Sequence, residues 1–146
     1  MTLLTLLILS GMSAGQEVAR AAGASCALEL GGESHQALKL TNTTETVLVT
    51  VTGAGRCGLR VLAVGCGGWG HSAGAGSGYI QYQTLSLVAG AGVETVISAR
   101  VGEGGTHNGD SVYTPSIVTV RGDTDTTIVA ECGQGLSDNV ETLNGY

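Results

Sequence analysis

Residues 44–70 read TETVLVTVTGAGRCGLRVLAVGCGGWG. Two apolar runs, 44–52 and 59–64, flank a glycine turn at 53–58. In the first run Val47, Val49 and Val51 fall on one parity and so share one face of a strand. The second run ends abruptly at the cluster VGCGG, and a second cluster, VGEGG, ends another apolar run at 101–105. Glycine admits backbone angles and close approaches that other residues resist, so such clusters bend or tightly pack a chain. A strand, a glycine break and a strand again is the grammar of a β scaffold.

Working outward, the same pattern repeats. Residues 27–30, 35–41, 79–88, 93–101, 116–120 and 126–131 also read as short strands. In the run 79–88, Ile80, Tyr82 and Thr84 fall on one side. Turn signals at 89–92 and 121–125 fit the spacing of all-β folds, and no window carries an amphipathic helix. The expected fold is an all-β, antiparallel, jelly-roll-like sandwich with glycine-rich loops. The expected organisation is a signal peptide over 1–15, an N-terminal segment with one or two strands over 16–43, a core over 44–135 and a tail over 136–146.

Composition narrows the function classes. Glycine accounts for 25 of 146 residues without the strict triplet period of collagen. Phenylalanine is absent, so the core must be built from small aliphatics. Net charge is −6 with a single lysine, Lys39, which argues against nucleic acid and anionic membrane surfaces as partners. The apolar run Leu3, Leu4, Leu6, Leu7, Ile8 and Leu9 is too short to span a bilayer, so membrane insertion is not expected. With Ser13, Ala14 and Gly15 after it, the run fits a secretory signal cleaved before Gln16; the other reading is a buried N-terminal strand or helix.

Secretion gives meaning to four cysteines, Cys26, Cys57, Cys66 and Cys132. An even count in an oxidising compartment favours two disulfides, and no CxxC pair is present to hold zinc. Three connectivities are open. The preferred one is Cys26–Cys57 with Cys66–Cys132, because VGCG and AECGQG read as equivalent strand ends, neighbours in one sheet. Asn42-Thr43-Thr44 is an N-glycosylation sequon in a polar stretch.

Other motifs carry little chemistry. Residues 53–58 and 65–70 both match GxGxxG after a strand, but neither is followed by a helix to carry a pyrophosphate. Arg121-Gly122-Asp123 is the tripeptide that integrins read on exposed turns; the plainer reading is a turn between two strands. Asp123 and Asp125, with Asp110, could offer oxygens to calcium, but the remaining ligands of a calcium loop are missing. Trp69, His71 and His107 lie at or just beyond the glycine clusters and form a candidate contact surface for a sugar or a protein. No nucleophile elbow or paired-carboxylate arrangement is evident, so an enzyme is not expected, and no cofactor is implied.

Four stretches carry a resemblance: GLRVLAVGCGGWG at 58–70, GSGYIQYQTLSL at 76–87, VGEGGTHNGDS at 101–111 and IVAECGQG at 128–135. Together they make residues 46–135 resemble the secreted glycine-rich domain of phage tail-fibre, bacterial surface and marine-invertebrate proteins. The resemblance implies a β-sandwich used for adhesion, assembly or display, without a catalytic set. This chain departs from the pattern in its cysteines and shorter glycine runs, and so resembles a disulfide-locked version; the final NGY would lead on into further glycine repeats. The functional expectation is a secreted structural protein that assembles with itself into an oligomer or filament. The alternative is a monomeric adhesion module that recognises carbohydrate or a cell-surface protein through its glycine loops.

Overall fold

A computed structural model describes residues 2–8, 26–68, 77–90, 92, 94–104 and 113–133. The described residues form ten strands: β1 (Thr2–Ile8), β2 (Cys26–Leu30), β3 (Glu33–His35), β4 (Ala37–Leu40), β5 (Thr46–Gly53), β6 (Gly55–Val64), β7 (Ile80–Ala89), β8 (Thr95–Arg100), β9 (Ser116–Arg121) and β10 (Thr126–Ala130). They make two sheets. The larger, in the order β10-β9-β8-β5-β2-β3, is antiparallel throughout; the smaller is ordered β4-β1-β6-β7. The all-β sandwich expected from the alternation is the observed architecture.

The core follows from strand parity. In the larger sheet Leu28, Val49, Ile97, Ala99, Val118, Val120, Ile128 and Ala130 are buried. In the smaller sheet Leu6, Leu59, Val61, Ala63, Leu87 and Ala89 are buried and join the same cluster. Strands β2 and β4–β10 contribute alternate residues, as the two-residue period of the pleat requires. With no phenylalanine in the chain, Leu, Val, Ile and Ala fill the space between the sheets.

Three details differ from the sequence reading, and a fourth was left open by it. The expected strand over 35–41 is broken at Gln36: β3 pairs with β2 in the larger sheet, while β4 pairs with β1 in the smaller. The expected turn over 53–58 is shorter, since β6 already begins at Gly55. Cys66 and Cys132 follow β6 and β10, which belong to different sheets, so their strand ends are not neighbours in one sheet. Thr2–Ile8 is a strand at the centre of the smaller sheet, parallel to β4 on one side and β6 on the other, with Leu6 fully buried. A parallel pair cannot be made by a hairpin, so it leaves no local signature.

Local chemistry explains one tight connection. Leu30 pairs with Glu33, leaving Gly31 and Gly32 as a two-residue turn with φ of 60° and 82°. Positive φ at both positions is what a type I′ hairpin turn demands, and glycine supplies it without strain.

Candidate functional site

The ends of β6, β7, β8, β9 and β10 converge at one corner of the sandwich, and both glycine clusters sit there. Gly65 donates its N–H to the Tyr79 carbonyl at 2.8 Å, and Tyr79 donates in turn to the Glu131 carbonyl at 2.9 Å. Gly133 donates to the Cys66 carbonyl at 2.8 Å. The Cys66–Cys132 disulfide closes the same corner, with a Cα–Cα distance of 4.4 Å. A Cβ at Gly65 would overlap the Glu131 carbonyl, and one at Gly78 would overlap the Gly65 carbonyl. A Cβ at Gly102 would likewise overlap the Thr114 carbonyl. These glycines are required because backbone meets backbone with no room between.

Ser116 joins the two clusters. Its side chain is buried, its Oγ accepts the Gly102 N–H at 2.8 Å, and its hydroxyl donates to the Val64 carbonyl at 2.8 Å. Val64 stands at the head of the first cluster and Gly102 is the second residue of the other. Gly104 lies against Gly67, where a Cβ would be 3.4 Å from the Gly67 carbonyl oxygen. Ser116→Ala would leave a buried N–H and a half-buried carbonyl without this partner. It is expected to cost about 2 kcal/mol, read from urea unfolding of the oxidised protein. Sequence reasoning missed Ser116, because its partners lie 14 and 52 residues away.

The contact candidates Trp69, His71 and His107, and Asp110 of the calcium reading, lie outside the described residues. Arg121 ends β9, and Gly122 and Asp123 begin the bend to β10. Arg121 and Asp123 are exposed, but Gly122 is held against Thr95, whose Oγ1 would be 2.7 Å from an added Cβ. Asp125 accepts the Gly122 N–H at 3.4 Å, so its carboxylate closes the turn. Among the described residues no three His, Cys, Asp or Glu side chains gather as a metal site. Asn42 is exposed between β4 and β5, and its Oδ1 accepts from the Thr44 N–H at 3.0 Å and the Thr44 hydroxyl at 2.7 Å.

Sheet edges form the other candidate surface. The larger sheet ends in β3, three residues long with Glu33 and His35, and in β10, five residues between Asp125 and Glu131. The smaller ends in β4, which carries Lys39, and in β7. Strand β7 runs for ten residues with neither charge nor proline and pairs, among the described strands, only with β6. Ile80 and Tyr82 on its outer face are 66% and 58% exposed. They lie opposite Val64 and Leu62, which are half-buried, so an apolar strip borders the edge. Short length, charge and proline are the usual protection of sheet edges, and β7 has none of them.

The pairing is Cys26–Cys57 and Cys66–Cys132, with no free cysteine among the described residues. Each disulfide ties β6 of one sheet to β2 or to the end of β10 in the other. The fold and its bridges define a class: a disulfide-locked, all-β sandwich, suited to an oxidising compartment. No helix among the described residues is long and apolar enough to cross a membrane. Comparison with protein-family models, with curated proteins and with solved structures returned no match to this chain.

Proposed function

We propose that this protein is a secreted, non-enzymatic structural subunit that assembles with copies of itself by strand addition. The observation that carries the reading is the edge of β7, long, uncharged and bordered by Ile80 and Tyr82. An open row of backbone donors and acceptors accepts another strand, and adjoining apolar side chains add burial to the hydrogen bonds. Two disulfides support an extracellular setting, where no reducing pool opens them. The absence of phenylalanine and the small side chains of the sheet faces favour close lateral packing.

Light scattering of the non-reduced secreted product, followed by electron microscopy, tests this directly. Oligomers or filaments are expected without added ligand. The pair Ile80→Lys and Tyr82→Lys, both exposed and therefore tolerated by the fold, is expected to weaken self-association by roughly tenfold or more through like-charge repulsion at the edge. A monomeric wild-type protein removes assembly as the role.

The second reading is a monomeric adhesion module that contacts a glycan or a cell-surface protein through Trp69, His71 and His107. It draws on the contact between Gly104 and Gly67, which joins the roots of the segments 69–76 and 105–112. The same scattering measurement separates the two, since this reading requires a monomer.

A further inference from the structure

Strand β1 occupies a position that the sequence marks for removal. Cleavage before Gln16 would take Thr2–Ile8 out of the smaller sheet and separate β4 from β6. We propose that the processed chain is a strand acceptor. The slot between β4 and β6 takes an extended segment of another polypeptide, with aliphatic residues at every second position, running parallel to both walls.

Strand β6 is held without β1, and β4 is tied at its start. Strand β6 is bridged to the larger sheet at both ends, through Cys26–Cys57 near its start and Cys66–Cys132 just beyond its end. The start of β4 is tied by Gln36, whose Nε2 donates to the Cys26 carbonyl at 3.0 Å. A strand leaving this position therefore leaves β6 anchored with one row of backbone groups open, and β4 tied only at its start and by the burial of Leu38 and Leu40, so an incoming strand would bond to β6 and restore the pairing of β4.

The printed registers define the occupant. Seven residues, Thr2 to Ile8, lie opposite Cys57 to Ala63, and the last four also face Ala37 to Leu40. Leu6, fully buried, stands between Val61 and Leu38. Leu4 and Ile8 pair on the β6 side with Leu59 and Ala63, which are buried. The slot therefore selects an aliphatic residue at alternate positions and rejects charge at those positions.

The chain's own new N-terminus does not meet that description. Cys26 is bonded to Cys57, which marks the Thr2 end of the slot. A parallel strand must finish at the Ile8 end, about 20 Å away at about 3.3 Å per residue. If seven of the ten residues 16–25 filled the slot, the remainder would reach only about 14 Å back towards Cys26. Run antiparallel, residues 19–25 would put only Ala19, Ala21, Gly23 and Ser25 on the core-facing parity, which leaves the space of Leu4, Leu6 and Ile8 unfilled, and each of the other registers brings Arg20 or Glu17 there. A second polypeptide has neither constraint. This slot lies on the side of β6 away from β7, so the inference stands or falls independently of assembly at the β7 edge.

The test expresses the full chain in a secretory host, reads the N-terminus of the secreted product by mass, and adds a synthetic peptide of residues 2–8 carrying a lysine tail for solubility. The expected product begins at Gln16 and binds the peptide one to one. At about a hundredfold excess over its Kd the peptide should raise the melting temperature by about 8 °C. Beyond the general slowing that stabilisation brings, hydrogen exchange by local opening should slow at residues 37–40 and at the amides of 57–63 that face away from β7. The peptide with Leu6→Asp, which leaves the protein untouched, is expected to bind at least about a hundredfold more weakly. The proposal is overturned by a product that retains residues 2–8, or by one that begins at Gln16 and ignores the peptide. It is equally overturned if the amides of residues 57–63 that face away from β7 are already protected before peptide is added, in a monomer by its own residues 16–25 or in an oligomer by a second copy.

Discussion

Gly65→Ala is expected to destabilise the protein by about 4 kcal/mol or more, at the extreme of single-residue effects. The added Cβ would overlap the Glu131 carbonyl and lie 2.8 Å from the Ala130 carbonyl oxygen. Neither neighbour can yield cheaply. Glu131 is held by the Tyr79 N–H, and the next residue, Cys132, is bonded to Cys66 beside the substituted position. The control lies two residues away in the same cluster. Gly67 is exposed, and a Cβ there meets nothing within 4 Å. Gly67→Ala should therefore change stability by no more than about 0.5 kcal/mol. Urea unfolding of the two oxidised variants beside wild type decides the matter. Equal effects would mean that the cluster is a flexible connector rather than a packed junction.

Removal of the Cys66–Cys132 bridge by the paired change Cys66→Ala and Cys132→Ala is expected to cost about 4 kcal/mol, or roughly 15 °C in melting temperature. The bridge closes a loop of sequence separation 66, and the chain-entropy account makes its loss act mainly by freeing the unfolded chain. The same change at Cys26 and Cys57, separation 31, is expected to cost less by about 0.7 kcal/mol on that account. Cys26 and Cys57 are both buried between the sheets, so their truncation also loses packing and narrows the difference. A domain of this size has only about 5–15 kcal/mol to lose, so the variant lacking both bridges should be unfolded at 37 °C. Scanning calorimetry with and without reductant measures all three. A reduced protein that melts with the oxidised one would show that the sandwich core alone holds the fold.

Both results bear on function through one property. The corner of glycine clusters and the two bridges fix β6 and hold the smaller sheet against the larger, even though that sheet has few strands. A rigid, bridged sandwich can carry an edge such as β7, which pairs only with β6 among the described strands, without fraying, as the proposed structural role would require.

Much of the fold was legible in local pattern. The alternation of valines in 44–52 marked β5 and its buried face, and the stops at VGCGG and VGEGG marked the ends of β6 and β8. These features are local because a strand's period and a glycine's freedom belong to the residues themselves. The break at Gln36 was not legible: HQALKLT alternates without interruption, and only its partners reveal that His35 and Ala37 belong to different sheets. Ser116 was equally silent, a lone serine at a strand start whose two partners come from distant segments. The apolar run at the N-terminus reads first as a leader, and a strand needs no more than the same few consecutive aliphatics.

By itself, then, the sequence determined where backbone is extended, where glycine must interrupt it, and which residues are apolar enough to be covered. Tertiary structure alone decided sheet membership, strand order, the parallel seat of Thr2–Ile8 and the exposure of β7. The physical reason is that these depend on hydrogen bonds between segments far apart in the chain. No residue encodes its partner; the pairing is chosen by which arrangement buries the apolar parities of all the strands at once.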